Sequence, residues 1–383
     1  MRQRRIIYIA VGLALFLIPR LSLFPSIAKA QGIRIGVLLP LNGKLAIVGD
    51  LERKAFEMAA KEVNVSGGIQ GQEIELYFRD SMGDPYVAKE AVTKLLSEDG
   101  VVLVTGGCSS SATLEATLVS EESGIPFLIC TASADRLTEM NMEHVFRLNL
   151  PVSEYGKSLL LFLSKIRGLR NAAILRENSR YGQYESKTLV RICRRRGLLL
   201  SDIIEFSPNS IGHMAYLDRL SRAHPDVLFV VAKESQSKEI LGFLSSLETK
   251  PHLIICKGDP FLDMETDIRA QAMEQDYYTT ALWHPAAPYP GAAEFSVRFY
   301  ETYGIRPDYH SAQAYAALQV IKDTLVRSLD YEPESIRESL EQTDMMTIYG
   351  PAKFLSYGHK KRQNRPPVLI LRWSKGELNP VNY

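Results

Sequence analysis

The chain has 383 residues, of which 46% are hydrophobic and 23% charged, and a formal charge of +1. Its length suggests about two domains, and a near-neutral balance offers no electrostatic footprint for nucleic acid. Cys108, Cys130, Cys193 and Cys256 are spaced too widely for a CxxC redox pair or a zinc ribbon.

Residues 1–30 read as an export signal. Arg2, Arg4 and Arg5 form a basic start, Ile6–Ile18 an apolar run, and Ala28-Lys29-Ala30 an A-x-A cleavage site. The run is shorter than the about twenty residues that span a bilayer core, which favours cleavage over a retained anchor. No cysteine follows the site, so a lipoprotein anchor is not expected. Cleavage removes Arg2, Arg4, Arg5, Arg20 and Lys29 and no acidic residue, taking the formal charge from +1 to −4.

A strand is expected at Ile33–Leu39. The run Leu51–Asn64 then carries Leu51, Ala55, Met58, Ala59 and Val63 at helical spacing. Gly67-Gly68 can take the left-handed conformation that stops a helix, and a turn through Gly71 leads into an alternating strand, Glu73–Arg79. Strand, helix, double-glycine stop and strand make a βαβ unit. Further strands are expected at Val101–Thr105, Pro126–Thr131, Ala172–Leu175, Val227–Val231, Leu253–Cys256 and Tyr277–Ala281. Helical patterns lie between them at Pro85–Ser97, Glu154–Lys165, Tyr184–Arg195, Ser237–Leu247 and Ala292–Tyr303. Alternation of this kind predicts parallel sheets covered by helices.

Several connections could carry chemistry. Thr105–Ala116, TGGCSSSATLEA, ends a strand and opens a helix. Its glycines admit a close backbone approach, and the first-turn amides attract an anion. Ser109, Ser110 and Ser111 could bind such an anion or merely cap the helix. Pro126–Glu139 ends a strand at the same sheet edge, where ligands of α/β sheets bind; its Ser133 could equally cap a turn. Ser179–Ser186, SRYGQYES, opens another helix and presents Tyr181. Asp259 precedes Pro260 and could be a turn residue. Arg194-Arg195-Arg196 and Lys360-Lys361-Arg362 read as solvated clusters, the first at a helix C-terminus and the second in a loop before Pro366-Pro367.

Enzyme motifs are few. Ser235–Lys238 reads S-x-x-K, but its companion motifs are missing. The seven histidines lack metal-ligand spacing, and His284 and His310 read as structural. No enzyme, metal or cofactor is expected.

The segment Asn64–Leu76, NVSGGIQGQEIEL, followed in order by GCSSS, TASADRLT, RYG and PDVLF, resembles the type I periplasmic solute-binding proteins of the branched-chain amino acid (Leu/Ile/Val) group. The resemblance implies two Rossmann-like α/β lobes with parallel central sheets, joined by a three-crossover hinge. Lobe 1 would hold residues 31–151 plus 282–345, and lobe 2 residues 152–281 plus 346–383, with crossings near Leu150-Pro151, Ala281-Leu282 and Met345–Thr347. It also implies site roles. Ser109, with Ser110, would hold an α-carboxylate, while Ala132 and Ser133 would supply a carbonyl and a hydroxyl to the ligand's ammonium. Tyr181 would close from the second lobe, Asp259 would pair with the ammonium, and Val48 would line the side-chain pocket. Lys233 and Glu234 fall where the family places an aromatic or small residue, which would favour a polar ligand side chain. Tyr184 replaces a family glycine. Gly83 replaces the cysteine that often pairs with the one matching Cys108, so that disulfide is not expected. The function implied is a monomeric, periplasmic or otherwise exported receptor that captures an amino acid or related small carboxylate and delivers it to an ABC permease. A sensory module using the same closure is the alternative.

Overall fold

The computed structural model describes residues 32–207, 214–232, 250–258, 261–262 and 276–382, with Ile240, Gly242, Leu244 and Leu247. Residues 1–31, and with them the expected signal, lie outside the described residues, as do Ser235–Lys238 and most of the expected helix Ser237–Leu247.

The chain opens β1 (Ile33–Leu39), α1 (Ala46–Val65), β2 (Ile74–Asp80) and α2 (Pro85–Ser97). Helix α1 starts five residues before the apolar pattern expected from Leu51, and it ends as expected. Gly67 and Gly68 have φ of 100° and 71°. A Cβ on Gly68 would sit 2.1 Å from the Gln72 carbonyl oxygen. Only glycine fits such a turn. Asn64 earns its place in the motif by clamping the next strand: its side chain accepts from Ile74 N at 2.8 Å and donates to Ile74 O at 2.9 Å.

The next elements are β3 (Leu103–Gly106), α3 (Ser110–Glu122), β4 (Phe127–Ile129) and β5 (Val145–Arg147). A second series follows: α4 (Lys157–Lys165), β6 (Asn171–Glu177), α5 (Arg180–Arg196), β7 (Leu199–Phe206), α6 (Met214–Ala223), β8 (Val227–Val231), β9 (Leu253–Lys257) and β10 (Tyr277–Ala281). Then come α7 (Ala292–Tyr303), α8 (Tyr309–Arg327), α9 (Pro333–Glu341), the hairpin β11 (Asp344–Thr347) and β12 (Gly350–Lys353), and four last strands. These are β13 (Leu355–Tyr357), β14 (Lys360–Gln363), β15 (Leu369–Ser374) and β16 (Glu377–Pro380).

Two seven-stranded sheets result, ordered β13-β14-β5-β4-β3-β1-β2 and β16-β15-β10-β9-β8-β6-β7. Within each, the five strands that run from β1 to β5 or from β6 to β10 are parallel. Each parallel sheet has apolar side chains buried on both faces. On the first, α1, α7 and α8 cover one side with Phe56, Phe295, Phe299 and Ile321, while α2 and α3 cover the other with Val92, Leu95 and Ala116. The second sheet is covered in the same way. At about 25 cal/mol per Å² of apolar surface, this two-sided burial is the main stabilising contribution in either lobe.

Two expectations require correction near the C-terminus. Lys360 is not in a solvated loop. It lies in β14, buried, with its ammonium 2.7 Å from Asp135 and 2.5 Å from Glu139. Consequently the return to the second sheet does not occur at Met345–Thr347. Strands β13 and β14 still belong to the first sheet, β14 pairing parallel with β5 through Gln363 and Arg147, and the chain passes across between Gln363 and Leu369. The physical reason is polar: Arg147 Nε donates to Gln363 Oε1 at 2.6 Å, Gln363 Nε2 donates to Asn149 O at 2.7 Å, and Asn364 Nδ2 donates to Leu148 O at 3.1 Å. These bonds zip the last strand of the first sheet onto the segment that leaves it near Leu150-Pro151.

Candidate functional site

The carboxyl ends of β1, β3 and β4 carry the loops that sequence reasoning singled out. At the end of β3, Gly106 and Gly107 have φ of 101° and 79°. A Cβ on Gly106 would lie 2.3 Å from Leu38 O, so the loop passes β1 at a distance only glycine allows. Gly107 O then accepts from Ala132 N at 2.9 Å, binding the β3 and β4 loops together. Ser110 Oγ accepts from Ala134 N at 3.2 Å, a second tie across the same edge. The structure therefore brings Ser109, Ser110, Ala132 and Ser133 to one place.

Ser109 is the N-cap residue of α3, yet its side chain makes no capping bond. Its hydroxyl instead donates to Gly83 O at 3.2 Å and lies 3.3 Å from Ser111 Oγ. The capping explanation of the serine cluster does not hold for Ser109. The first-turn N–H groups of a helix have no carbonyl four residues back, so hydroxyl and amides converge at the positive end of the helix dipole. Ser133 O accepts from Val152 N at 2.8 Å, and its hydroxyl lies against the Tyr155 phenol. Val48 is half-buried in the first turn of α1.

Asp80, at the end of β2, fixes the rim. It accepts from Leu41 N at 2.8 Å, Asn42 Nδ2 at 2.8 Å and Met82 N at 2.7 Å. Burial pushes its carboxyl up, but the Asn42 amide and the backbone N–H groups of Met82, Leu41 and Asn42 outweigh that and hold it below the ordinary aspartate value. A carboxyl depressed on folding stabilises the fold above its unfolded pKa of about 3.9 and stops doing so as pH falls through the folded value. The stability difference between wild type and Asp80→Asn, measured by urea unfolding, is thus expected to shrink on acidification through that window. A gap constant with pH would show that the carboxylate charge has no part in holding the rim.

The second edge is formed by the ends of β6 and β9. Ser179 caps α5 through its side chain, accepting from Gly182 N at 3.1 Å, and donates to Glu177. Tyr181, in the first turn of α5, is half-buried and packs on the apolar cluster that contains Leu159, Phe162 and Leu189. Part of its ring is thus core of the second sheet. Lys233, Glu234 and Asp259 lie outside the described residues. Sequence reasoning passed over Lys257, at the end of β9, whose ammonium donates to Thr280 Oγ1 at 2.8 Å and lies 3.7 Å from Glu185.

It also passed over Glu52. This glutamate is fully buried in α1 and its Oε1 accepts from Thr131 Oγ1 at 2.8 Å, with His310 Nδ1 at 3.0 Å. The signal was present: Glu52 stands on the stripe of Val48, Ala55 and Ala59, an acidic residue on a core-facing row. All four cysteines are unpaired. Burial, followed by the charge of Glu52, pushes the Cys108 thiol far up. No described helix is long and apolar enough to cross a membrane.

Comparison with known proteins completes the description. A curated relative, Leu/Ile/Val-binding protein homolog 7 of Brucella melitensis biotype 1, is 26% identical over 368 residues, covering 91% of each chain. An ABC transporter substrate-binding protein from Desulfitobacterium hafniense in complex with Leu superposes with a TM-score of 0.67 at 20% identity, over 92% of this chain and 100% of that one. A solute-binding protein from R. palustris in complex with benzoate gives 0.63 at 18% identity, over 91% and 95%. The fold is that of the type I periplasmic binding proteins. The sequence profile described as "Periplasmic binding protein" matches residues 32–377, and the chain belongs to that family.

Proposed function

We propose that this protein is an exported receptor that captures an amino acid or related small carboxylate between two closing lobes and delivers it to an ABC-type permease. The observation that carries the reading is the start of α3. Ser109 sits there with a hydroxyl that does not cap the helix and donates to Gly83 O, beside the first-turn amides of α3 and a glycine turn tight against β1. Charge-assisted bonds from such donors to a carboxylate are short and about twice as strong as neutral ones. The Desulfitobacterium hafniense and R. palustris proteins hold leucine and benzoate, two ligands that share a carboxylate and differ in everything else.

In this reading lobe 1 comprises the first sheet and its helices, and lobe 2 the second sheet with the strands after Gln363. Tyr181 closes over the ligand from the second edge, Asp259 pairs with an ammonium, and Val48, Ala132 and Ser133 complete the first edge. Lys233 and Glu234 set the preference for the side chain. Closure requires the ligand to favour the closed state, so both edges must touch it. The leader is cleaved after Ala30, and the mature receptor works as a monomer.

Thermal shifts of protein stripped by unfolding and refolding, measured against amino acids, amides and small organic acids, test the reading. Saturable stabilisation by one carboxylate class is expected. A well-folded protein that no carboxylate stabilises would refute it.

A further inference from the structure

We propose that Glu52, Cys108 and His310 form a binding site for a zinc-class divalent cation behind the serine edge of the first lobe. The three residues come from separate elements: the second turn of α1, the loop between β3 and α3, and the first turn of α8. One carboxylate oxygen, the Cys108 sulfur and an imidazole nitrogen all lie within 4.8 Å of one another. In a tetrahedral zinc site with bonds of about 2.0–2.3 Å, ligand atoms stand about 3.3–3.7 Å apart. Ligand atoms within 4.8 Å of one another reach that spacing by small side-chain rotations.

The simpler account is a hydrogen-bond network tying α1, β4 and α8 together. It explains Oε1, which meets both Thr131 and His310. It does not explain Oε2, which is buried and has no hydrogen-bond partner among the described residues. An unsatisfied carboxylate oxygen in the interior is costly. The Cys108 sulfur lies in the same cluster as this carboxylate. A cation in the cluster removes that penalty. It bonds the orphan oxygen and displaces the thiol proton to solvent, leaving a thiolate ligand.

The donor set selects the metal. Calcium and magnesium require several oxygens, whereas sulfur, nitrogen and oxygen together suit zinc or cobalt(II). Three protein ligands leave a fourth position, and Cys108 is only half-buried, so that position can be reached by water. Cys108 adjoins Ser109, which places the cation next to the proposed carboxylate site while sharing no ligand residue with it.

The purified protein, treated with a chelator and dialysed against zinc ions alone, is expected to retain one zinc per chain. Cobalt(II) in its place should show thiolate-to-metal charge-transfer absorption in the near ultraviolet. Cys108→Ser and His310→Gln should each weaken zinc retention by more than about 100-fold, since even outer partners of metal ligands are worth about 10–100-fold. Retention of no zinc, a cobalt spectrum without the thiolate band, or undiminished binding in Cys108→Ser would each overturn the proposal. The cobalt spectrum needs no variant, so it decides the question even if a substitution prevents folding.

Discussion

Substituting Arg147 with methionine is expected to lower the stability of the fold by about 3 kcal/mol. Arg147 is fully buried. Its guanidinium donates to Gln363 Oε1 at 2.6 Å, Ala134 O at 2.5 Å and Thr138 Oγ1 at 3.0 Å. Burial pulls its pKa down to about 10, with Asp135 the first of the charges that oppose the shift. It therefore remains protonated at neutral pH. Methionine fills much of the space and donates nothing. Gln363 Oε1 keeps its bond from Thr138 and Ala134 O its bond from Leu137 N at 3.2 Å, but both lose a charged donor, and a hydrogen bond to a charged group contributes about 1.5–3 kcal/mol. The Lys360 ammonium beside Asp135 and Glu139 would then be the remaining cation in this cluster. Urea unfolding measures the change. A loss below about 1 kcal/mol would mean that the joint between β5 and β14 does not depend on this side chain.

Ser109→Ala is the second large effect, and it falls on binding. A hydrogen bond to a charged group contributes about 1.5–3 kcal/mol, or about 10–150-fold in Kd. The Ser109 hydroxyl does not cap α3 but donates to Gly83 O, so folding stability should fall only by the about 0.5–1.5 kcal/mol of one neutral hydrogen bond. Ser179→Ala supplies a comparison. That hydroxyl does cap α5, so its loss should cost about 1 kcal/mol of stability. Titration calorimetry and thermal unfolding on both variants separate the effects. Undiminished affinity in Ser109→Ala would remove the residue from the site.

The resemblance and the periodicity made the first βαβ unit legible because its constraints are local. Apolar spacing marks α1, positive φ demands Gly67 and Gly68, and Asn64 clamps Ile74. Helix α8 was missed for a physical reason. Residues from Ser311 to Leu318 are all buried, so no polar face reveals a period of 3.6. The late crossing was hidden too. A run of Lys360, Lys361 and Arg362 looks solvated until Asp135 and Glu139, more than two hundred residues earlier, are seen beside Lys360. Glu52 is legible on the row of Val48, Ala55 and Ala59, but it reads as one charge among Asp50, Arg53 and Lys54.

The most direct test of the central claim is calorimetric titration of the stripped protein with amino acids and with the matching amines that lack the carboxylate. Recognition at the start of α3 predicts that an amino acid binds saturably and that its amine counterpart binds at least about 100-fold more weakly, consistent with loss of a charge-assisted anchor. Equal binding of the two, or binding of neither by a folded protein, would contradict it.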